Sequence, residues 1–422
     1  MNGYWQYWPV MDMQKTMTDR QETADGGVMQ SANTPETLLQ EALQHHQAGR
    51  LQEAEILYRQ GLAMDPDHAR TVHQMGSLCY QQGQLAAAAD WMGKAVSIQP
   101  NEPLFLQNRG IVLAGLGKRQ EAIECFQRVL TIQPHHPDAF YQMGICLRDL
   151  GRKREAIDCF QKTIAIQPHF YEACNCLGNL MQSEGKVAEA IDCYRQAVAI
   201  HPNHQNAYTN LGNVLLSRGD TEEAIHCFRR ALAIQPLFCE ALNGLGNALK
   251  EEGKLDEAID CYRQAVAINP NHYKAHHNQG YALQLQDKGD EAIVCYQKAL
   301  AIVPNAHAET HFNLGVLLQN RHRCEEAEAA FRQAIRIRPD HAEACYGLGM
   351  SLQKLMCYEE AEAAFRQAIR IQPDYYDAHY NMGCLLQNLR QFEKAEAAYR
   401  QAILVRPDHS IAYYRFPDKY FG

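Results

Sequence analysis

Apolar residues along this chain recur with the three-to-four spacing of an amphipathic helix, in segments that come in pairs. Each segment runs for about a dozen residues, enough for three helical turns. A pair therefore predicts two short helices joined by a tight turn, and the pair returns at a fixed interval. Pro66, Pro100, Pro134, Pro168, Pro202, Pro236, Pro270, Pro304, Pro339, Pro373 and Pro407 are 34 residues apart at every step but one, which is 35. Setting this proline at position 32 starts the repeats at residues 35, 69, 103, 137, 171, 205, 239, 273, 308, 342 and 376. Eleven repeats and one extra residue cover 35–409.

The other columns then align. Position 8 is glycine in ten repeats, from Gly76 to Gly383, and alanine (Ala42) in the first. Position 20 is alanine throughout, from Ala54 to Ala395, and position 24 is aromatic everywhere except Met92. Small residues at 8 and 20 allow two helix backbones to approach, with the ring at 24 filling space toward the neighbouring repeat. Gly49, Gly83, Gly117, Gly151, Gly185, Gly219 and Gly253 suit the left-handed residue that closes a first helix. Proline at 32 stops the second helix. The Asp or Asn that often follows it (Asp67, Asn101, Asn203, Asn271, Asp340, Asp374, Asp408) is expected to cap the next helix, with Asp340 and Glu343 as a capping-box pattern. One such pair cannot bury its apolar face alone, whereas stacked pairs can, so the predicted fold is an all-α solenoid of eleven 34-residue helix pairs.

This pattern resembles the tetratricopeptide repeat over about nine-tenths of the chain. The resemblance implies a right-handed superhelix whose first helices line a concave groove, with positions 2, 5, 6, 9 and 13 facing it. The pentatricopeptide family has a period of 35 and reads RNA, which fits neither the period nor the charge here.

The array changes near 305–308. Cys125, Cys159, Cys193, Cys227, Cys261 and Cys295 occupy position 23 before that point, and Ala330, Ala364 and Ala398 after it. The inter-helix glycine also gives way, to Asp287, His322, Met356 and Arg390. Two blocks are expected, repeats 1–8 at 35–306 and repeats 9–11 at 307–409. Before them, 1–34 reads as a polar, disordered tail carrying Tyr4, Trp5, Tyr7 and Trp8, ending in the helix start Thr34-Pro35-Glu36. After them, 410–422 reads as a short helix and tail that either covers the last pair or joins a second copy in a homo-oligomer.

Forty Lys and Arg against 49 Asp and Glu give a net charge of −9. The absence of basic blocks argues against nucleic acid, and no apolar run is long enough for a membrane span. Fifteen cysteines without a CxxC pair suggest reduced thiols, which with the lack of a secretory leader points to a cytoplasmic protein. Cysteines one repeat apart form a seam rather than a metal site, and Cys174 and Cys176 do not share a helix face. The histidines that follow the Asp/Asn position fit loop or cap positions. No phosphate loop, HExxH or GxSxG occurs. No catalytic residue, metal or cofactor is expected, and the chain reads as a non-enzyme.

The groove columns carry the functional signal. Position 6 is a carboxamide in seven of repeats 2–11: Gln74, Asn108, Gln142, Asn210, Asn278, Asn313 and Asn381. Asn175 and Asn243 add position 5, Asn179, Asn213 and Asn247 position 9, and Asn206 position 2. A carboxamide both donates and accepts, so such a ladder pairs the backbone of an extended peptide without demanding a side-chain sequence. The other account is that these amides bond their own helix or the next repeat. The ladder and the string AIDCYRQAVAI are similar to the repeat arm of O-linked N-acetylglucosamine transferases, with Cys176, Gly244 and Gly347 as gaps. That resemblance implies protein-substrate selection, and the transferase domain of the family has no counterpart here. The expected function is a scaffold for extended segments of partner proteins; the alternatives are the targeting part of a transferase or a homo-oligomeric assembly scaffold. A carboxylate clamp would need basic residues where Asn175, Glu240 and Gly244 stand.

Overall fold

The computed structural model describes residues 34–305 and 307–407. Among them are 22 helices in eleven pairs and no strand. Helix A occupies positions 1–13 and helix B positions 17–30 of each repeat, from Pro35–Gln47 and Leu51–Met64 to Tyr376–Asn388 and Phe392–Val405. One helix A, Gln205–Arg218, is a residue longer. The helices divide into two compact bodies between Pro202 and Asn203, with repeats 1–5 in the first and 6–11 in the second. Within each body, helix A packs on its own helix B, and helix B on the next helix A. The change of sequence at 305–308 falls inside the second body, where Gly289–Ile302 packs on Ala308–Asn320. The two terminal segments, with their aromatic clusters, and Ala306 lie outside the described residues.

The turn between A and B explains the glycine column. Position 15 is left-handed in all eleven repeats, at φ of 74–94° in the seven glycines and 59–61° in Asp287, His322, Met356 and Arg390. In repeat 3, Gly117 N donates to Ala114 O at 3.0 Å and Lys118 N to Leu113 O at 2.9 Å. Met356 N and Cys357 N make the same pair of bonds, to Gln353 O and Leu352 O. These are Schellman bonds, and they satisfy carbonyls that the helix end leaves open. The turn persists without glycine, at a cost of about 1 kcal/mol per side chain in that conformation.

Helix B ends because of the residue before proline. Gln133, at position 31, is extended (φ −128°, ψ 86°), the conformation forced on a residue whose Cβ and N–H meet the proline ring. The cap of the next helix A falls one residue later than the sequence suggested. Position 34 is the N-cap, and in His136, His204 and His272 the Nδ1 atom accepts from Ala139 N, Ala207 N and Ala275 N at 3.0–3.2 Å. The Asp340 box is therefore not formed: His341 is the N-cap there, and its Nδ1 meets Glu343 Oε2 instead. Helix 1 starts as expected, with Thr34 and Thr37 capping each other's backbone N–H.

Packing centres on the ring at 24. Phe126, Phe160, Tyr194, Phe228, Tyr262, Tyr296, Phe331 and Phe365 are fully buried. Each lies against the glycine at position 8 of its own repeat, where an added Cβ would come within 2.6–2.9 Å of a ring carbon. Burying a Phe side chain stabilises by about 1.5–3 kcal/mol, so one glycine per repeat secures one ring. The position-23 cysteines line this packing; all but the half-buried Cys193 are buried, and burial pushes the Cys159 thiol up to about 12. Such thiols are inert packing groups at neutral pH.

Candidate functional site

The rings at 24 account for part of the asparagine pattern. Where position 24 is tyrosine, its buried hydroxyl needs an acceptor. Tyr194 donates to Asn179 Oδ1 at 2.7 Å and Gln182 Oε1 at 3.1 Å, and Tyr262 to Asn247 Oδ1 at 2.7 Å. Tyr296 and Tyr399 use Gln284 and Gln387 at 2.9 Å, and Tyr58 pairs with His46 Nδ1 at 3.0 Å. Asn313 of repeat 9 also hydrogen-bonds the Tyr296 hydroxyl. Where the ring is Phe126 or Phe228, position 12 is Ala114 or Leu216 and no such partner is required. Gln182, Gln284 and Gln387 were missed as functional positions; glutamine also stands at position 12 beside Phe331 and Phe365 (Gln319 and Gln353), so that column alone does not mark a phenol's partner.

Position 6 has a second use. In three repeats its amide reaches position 5 of the preceding repeat, 35 residues back. Asn108 Nδ2 meets His73 Nε2 at 2.9 Å, Asn278 Nδ2 donates to Asn243 Oδ1 at 2.9 Å, and Asn381 Nδ2 donates to the Tyr346 hydroxyl at 2.9 Å. Cys176 takes the same place beside the Tyr141 hydroxyl. Asn108 is 2% exposed, and its Oδ1 is buried without a partner. His73 beside it is buried in the same joint, and desolvation holds its imidazole down to about 4. The gaps in the ladder have a packing cause. A Cβ on Gly244 would lie 2.4 Å from Phe228, and one on Gly347 2.6 Å from Phe331. There the preceding ring takes the space an amide would use.

The remaining amides differ in exposure. Asn175, Asn210 and Asn243 are half-buried, whereas Asn206 and Asn213 are exposed. Neither Asn206 nor Asn213 has a side-chain hydrogen bond within the described structure, and Asn247 commits only its oxygen. Asn206 and Asn213 thus retain their full donor and acceptor capacity for a ligand backbone, and Asn247 its donors. Among the described residues, no group of three or more His, Cys, Asp or Glu side chains is arranged to hold a metal ion, and no helix is long and apolar enough to cross a membrane.

Comparison with known families agrees with this architecture. Family models described as tetratricopeptide repeat match residues 45–107, 104–169, 171–236, 239–272, 271–340, 342–375 and 376–409. The chain belongs to the tetratricopeptide-repeat family. No curated protein matches it. Solved structures of two proteins are similar to parts of this chain. YrrB, titled a TPR protein with an unusual peptide-binding site, is 23% identical over 44% of this chain and 96% of its own, with a TM-score of 0.42. MamA is 21% identical over 39% of this chain and 95% of its own, with a TM-score of 0.38.

Proposed function

We propose that this tetratricopeptide-repeat protein is a non-enzymatic scaffold that holds extended segments of partner proteins along its A helices. The observation that carries the reading is the division of the amides. At position 6, Asn108, Asn278, Asn313 and Asn381 are used at joints between repeats, whereas Asn206 and Asn213 keep every donor and acceptor for a ligand. Asn247, oriented by Tyr262, keeps its Nδ2 hydrogens. An oriented carboxamide such as Asn247 pairs a peptide backbone with little loss of side-chain entropy. Asn210, Asn243, Asn278 and Asn313 lie on A helices of the same body.

The test is affinity capture of a partner followed by titration of its segment. Asn206→Ala with Asn213→Ala removes two exposed amides without touching a phenol or a joint. A loss of about tenfold is expected, in line with the 0.5–1.5 kcal/mol of a typical hydrogen bond; affinity unchanged within about twofold counts against the reading. Replacing Asn179 and Asn247 would be a poorer test, because each also serves a buried tyrosine.

A second reading, the substrate-targeting part of a transferase system, is favoured by the likeness of the asparagine columns to the repeat arm of O-linked N-acetylglucosamine transferases. It separates from the first by identity of the partner: the captured set would include a transferase chain. Sugar-nucleotide turnover by the purified chain would overturn the non-enzyme assignment in both.

A further inference from the structure

Column 5 changes character along the second body. It reads Thr209 and Asn243 in repeats 6 and 7, then His277, Phe312, Tyr346 and Tyr380 in repeats 8–11. Phe312 lies 6.1 Å from Phe331 and 4.7 Å from His341, and Tyr346 lies 5.9 Å from Phe365 and 5.2 Å from Tyr375, centroid to centroid. Each ring is thus propped in place yet stays half-exposed. The Tyr346 hydroxyl is fixed from the next repeat by Asn381 Nδ2 at 2.9 Å. This is a rigid, partly wet aromatic face.

Position 2, one turn earlier on the same helix face, is Lys274 in repeat 8 and acidic in repeats 9–11: Glu309, Glu343 and Asp377. Glu309 meets Arg338 at 2.8 Å and Glu343 meets His341 at 3.0 Å. The half-buried Asp377 carboxylate has no cation partner within the described structure. Asn381 Nδ2, which reaches the Tyr346 hydroxyl, also donates to the Asp377 carbonyl at 2.9 Å and so ties Asp377 to that ring; burial first, and the carboxylate second, push the Tyr346 phenol up to about 12. Cations of this body already lie over rings elsewhere, Lys250 at 5.1 Å from the Tyr281 centroid and Arg406 at 5.3 Å from Tyr376. A ring face with an unpaired carboxylate beside it is the complement of a guanidinium, which stacks on one and forks to the other.

We propose that repeats 10 and 11 recognise an arginine side chain of a bound extended segment, stacked on Tyr346 and paired with Asp377. The inference rests on the reading that partner segments lie along the A helices, and it adds their chemistry: the occupant is a partner segment bearing arginine. The chain's net charge of −9 favours such a partner over an acidic one.

The experiment uses the full chain and two fluorescein-labelled Gly-Ser peptides carrying a photo-crosslinker, one with arginines and one with glutamates at the same places. Fluorescence anisotropy at low salt is expected to give about tenfold tighter binding of the arginine peptide, falling as salt is raised. Asp377→Asn is expected to weaken it about fivefold. Tyr346→Leu should do the same while Tyr346→Phe, which keeps the ring face, should not. Equal binding of the two peptides, absence of binding by either, or an unaffected Asp377→Asn variant overturns the proposal. The crosslinks separate the two readings. Contacts on A helices with no charge preference overturn the arginine site alone, and contacts on B helices overturn the placement of segments along the A helices as well.

Discussion

Repeats 9, 10 and 11 place two kinds of joint side by side. Between repeats 9 and 10, Phe331 fills the space in front of Gly347, so no amide fits. Between 10 and 11, Asn381 crosses to the Tyr346 hydroxyl and also donates to Asp377 O of its own helix. Both joints link the same backbone elements at the same column. The difference shows that position 6 is first a packing position. A ring with glycine, or an amide with a polar partner, solves the same geometric problem. An amide in this column is therefore weak evidence of a ligand, and exposed amides outside it are better evidence.

Forcing an amide into the dry joint should have the largest effect. Gly347→Asn places a Cβ 2.6 Å from Phe331, and overpacking of this kind costs about 1–3 kcal/mol. The loss should appear in urea unfolding, and hydrogen exchange should locate it in Ala342–Lys354. Adding Phe331→Leu should recover part of it; an unaltered Gly347→Asn protein would mean the joint is not tightly packed.

Acid should separate two hydrogen-bonded joints. His73 is held at about 4 against an ordinary value of 6.5, so the folded state resists the proton that the unfolded state accepts. Its contribution is present above 6.5 and is lost as pH falls through about 4, a total of about 3 kcal/mol at one joint. Hydrogen exchange in Pro103–Gly115 should quicken over that window, and His73→Gln should remove the dependence. No imidazole takes part in the Asn381–Tyr346 bond, so that joint should respond less. Parallel behaviour of the two would refute the assignment of the change to His73.

Smaller effects follow at the amide joint itself and at the turns. Asn381→Ala should cost about 1 kcal/mol, the net value of a hydrogen bond, and should loosen repeat 11 without altering repeat 9. Met356→Gly should stabilise by up to about 1 kcal/mol, because Met356 holds φ 60° with its side chain 73% exposed. The same change at a glycine turn is unavailable, so the gain is confined to repeats 8–11. A destabilised Met356→Gly would show that its side chain is needed at the surface.

Much of the fold was legible because each column has one physical job. Pro66 and its equivalents force the preceding residue out of the helix, and Gly110 and its equivalents admit a ring, so period and packing could be read together. The N-cap was misplaced by one residue because histidine is an uncommon cap. Only the accepting Nδ1 of His136, His204 and His272 marks the position, and Asp or Asn beside it is the stronger conventional signal. The candidate site was legible in composition but not in allocation. Nothing in a single asparagine says whether its partner is a phenol 15 residues on, as for Asn247 and Tyr262, a side chain 35 residues back, as for Asn278 and Asn243, or a ligand. Pairing distance decides that, and only the folded chain supplies it.

The most direct measurement is side-chain amide exchange in protein labelled with nitrogen-15 at asparagine, recorded without ligand. The Nδ2 hydrogens of Asn278 and Asn381 should be protected, and those of Asn206 and Asn213 should exchange at the rate of free amides. If Asn278 and Asn381 exchanged as fast as Asn206, the division between joint amides and ligand amides would be wrong.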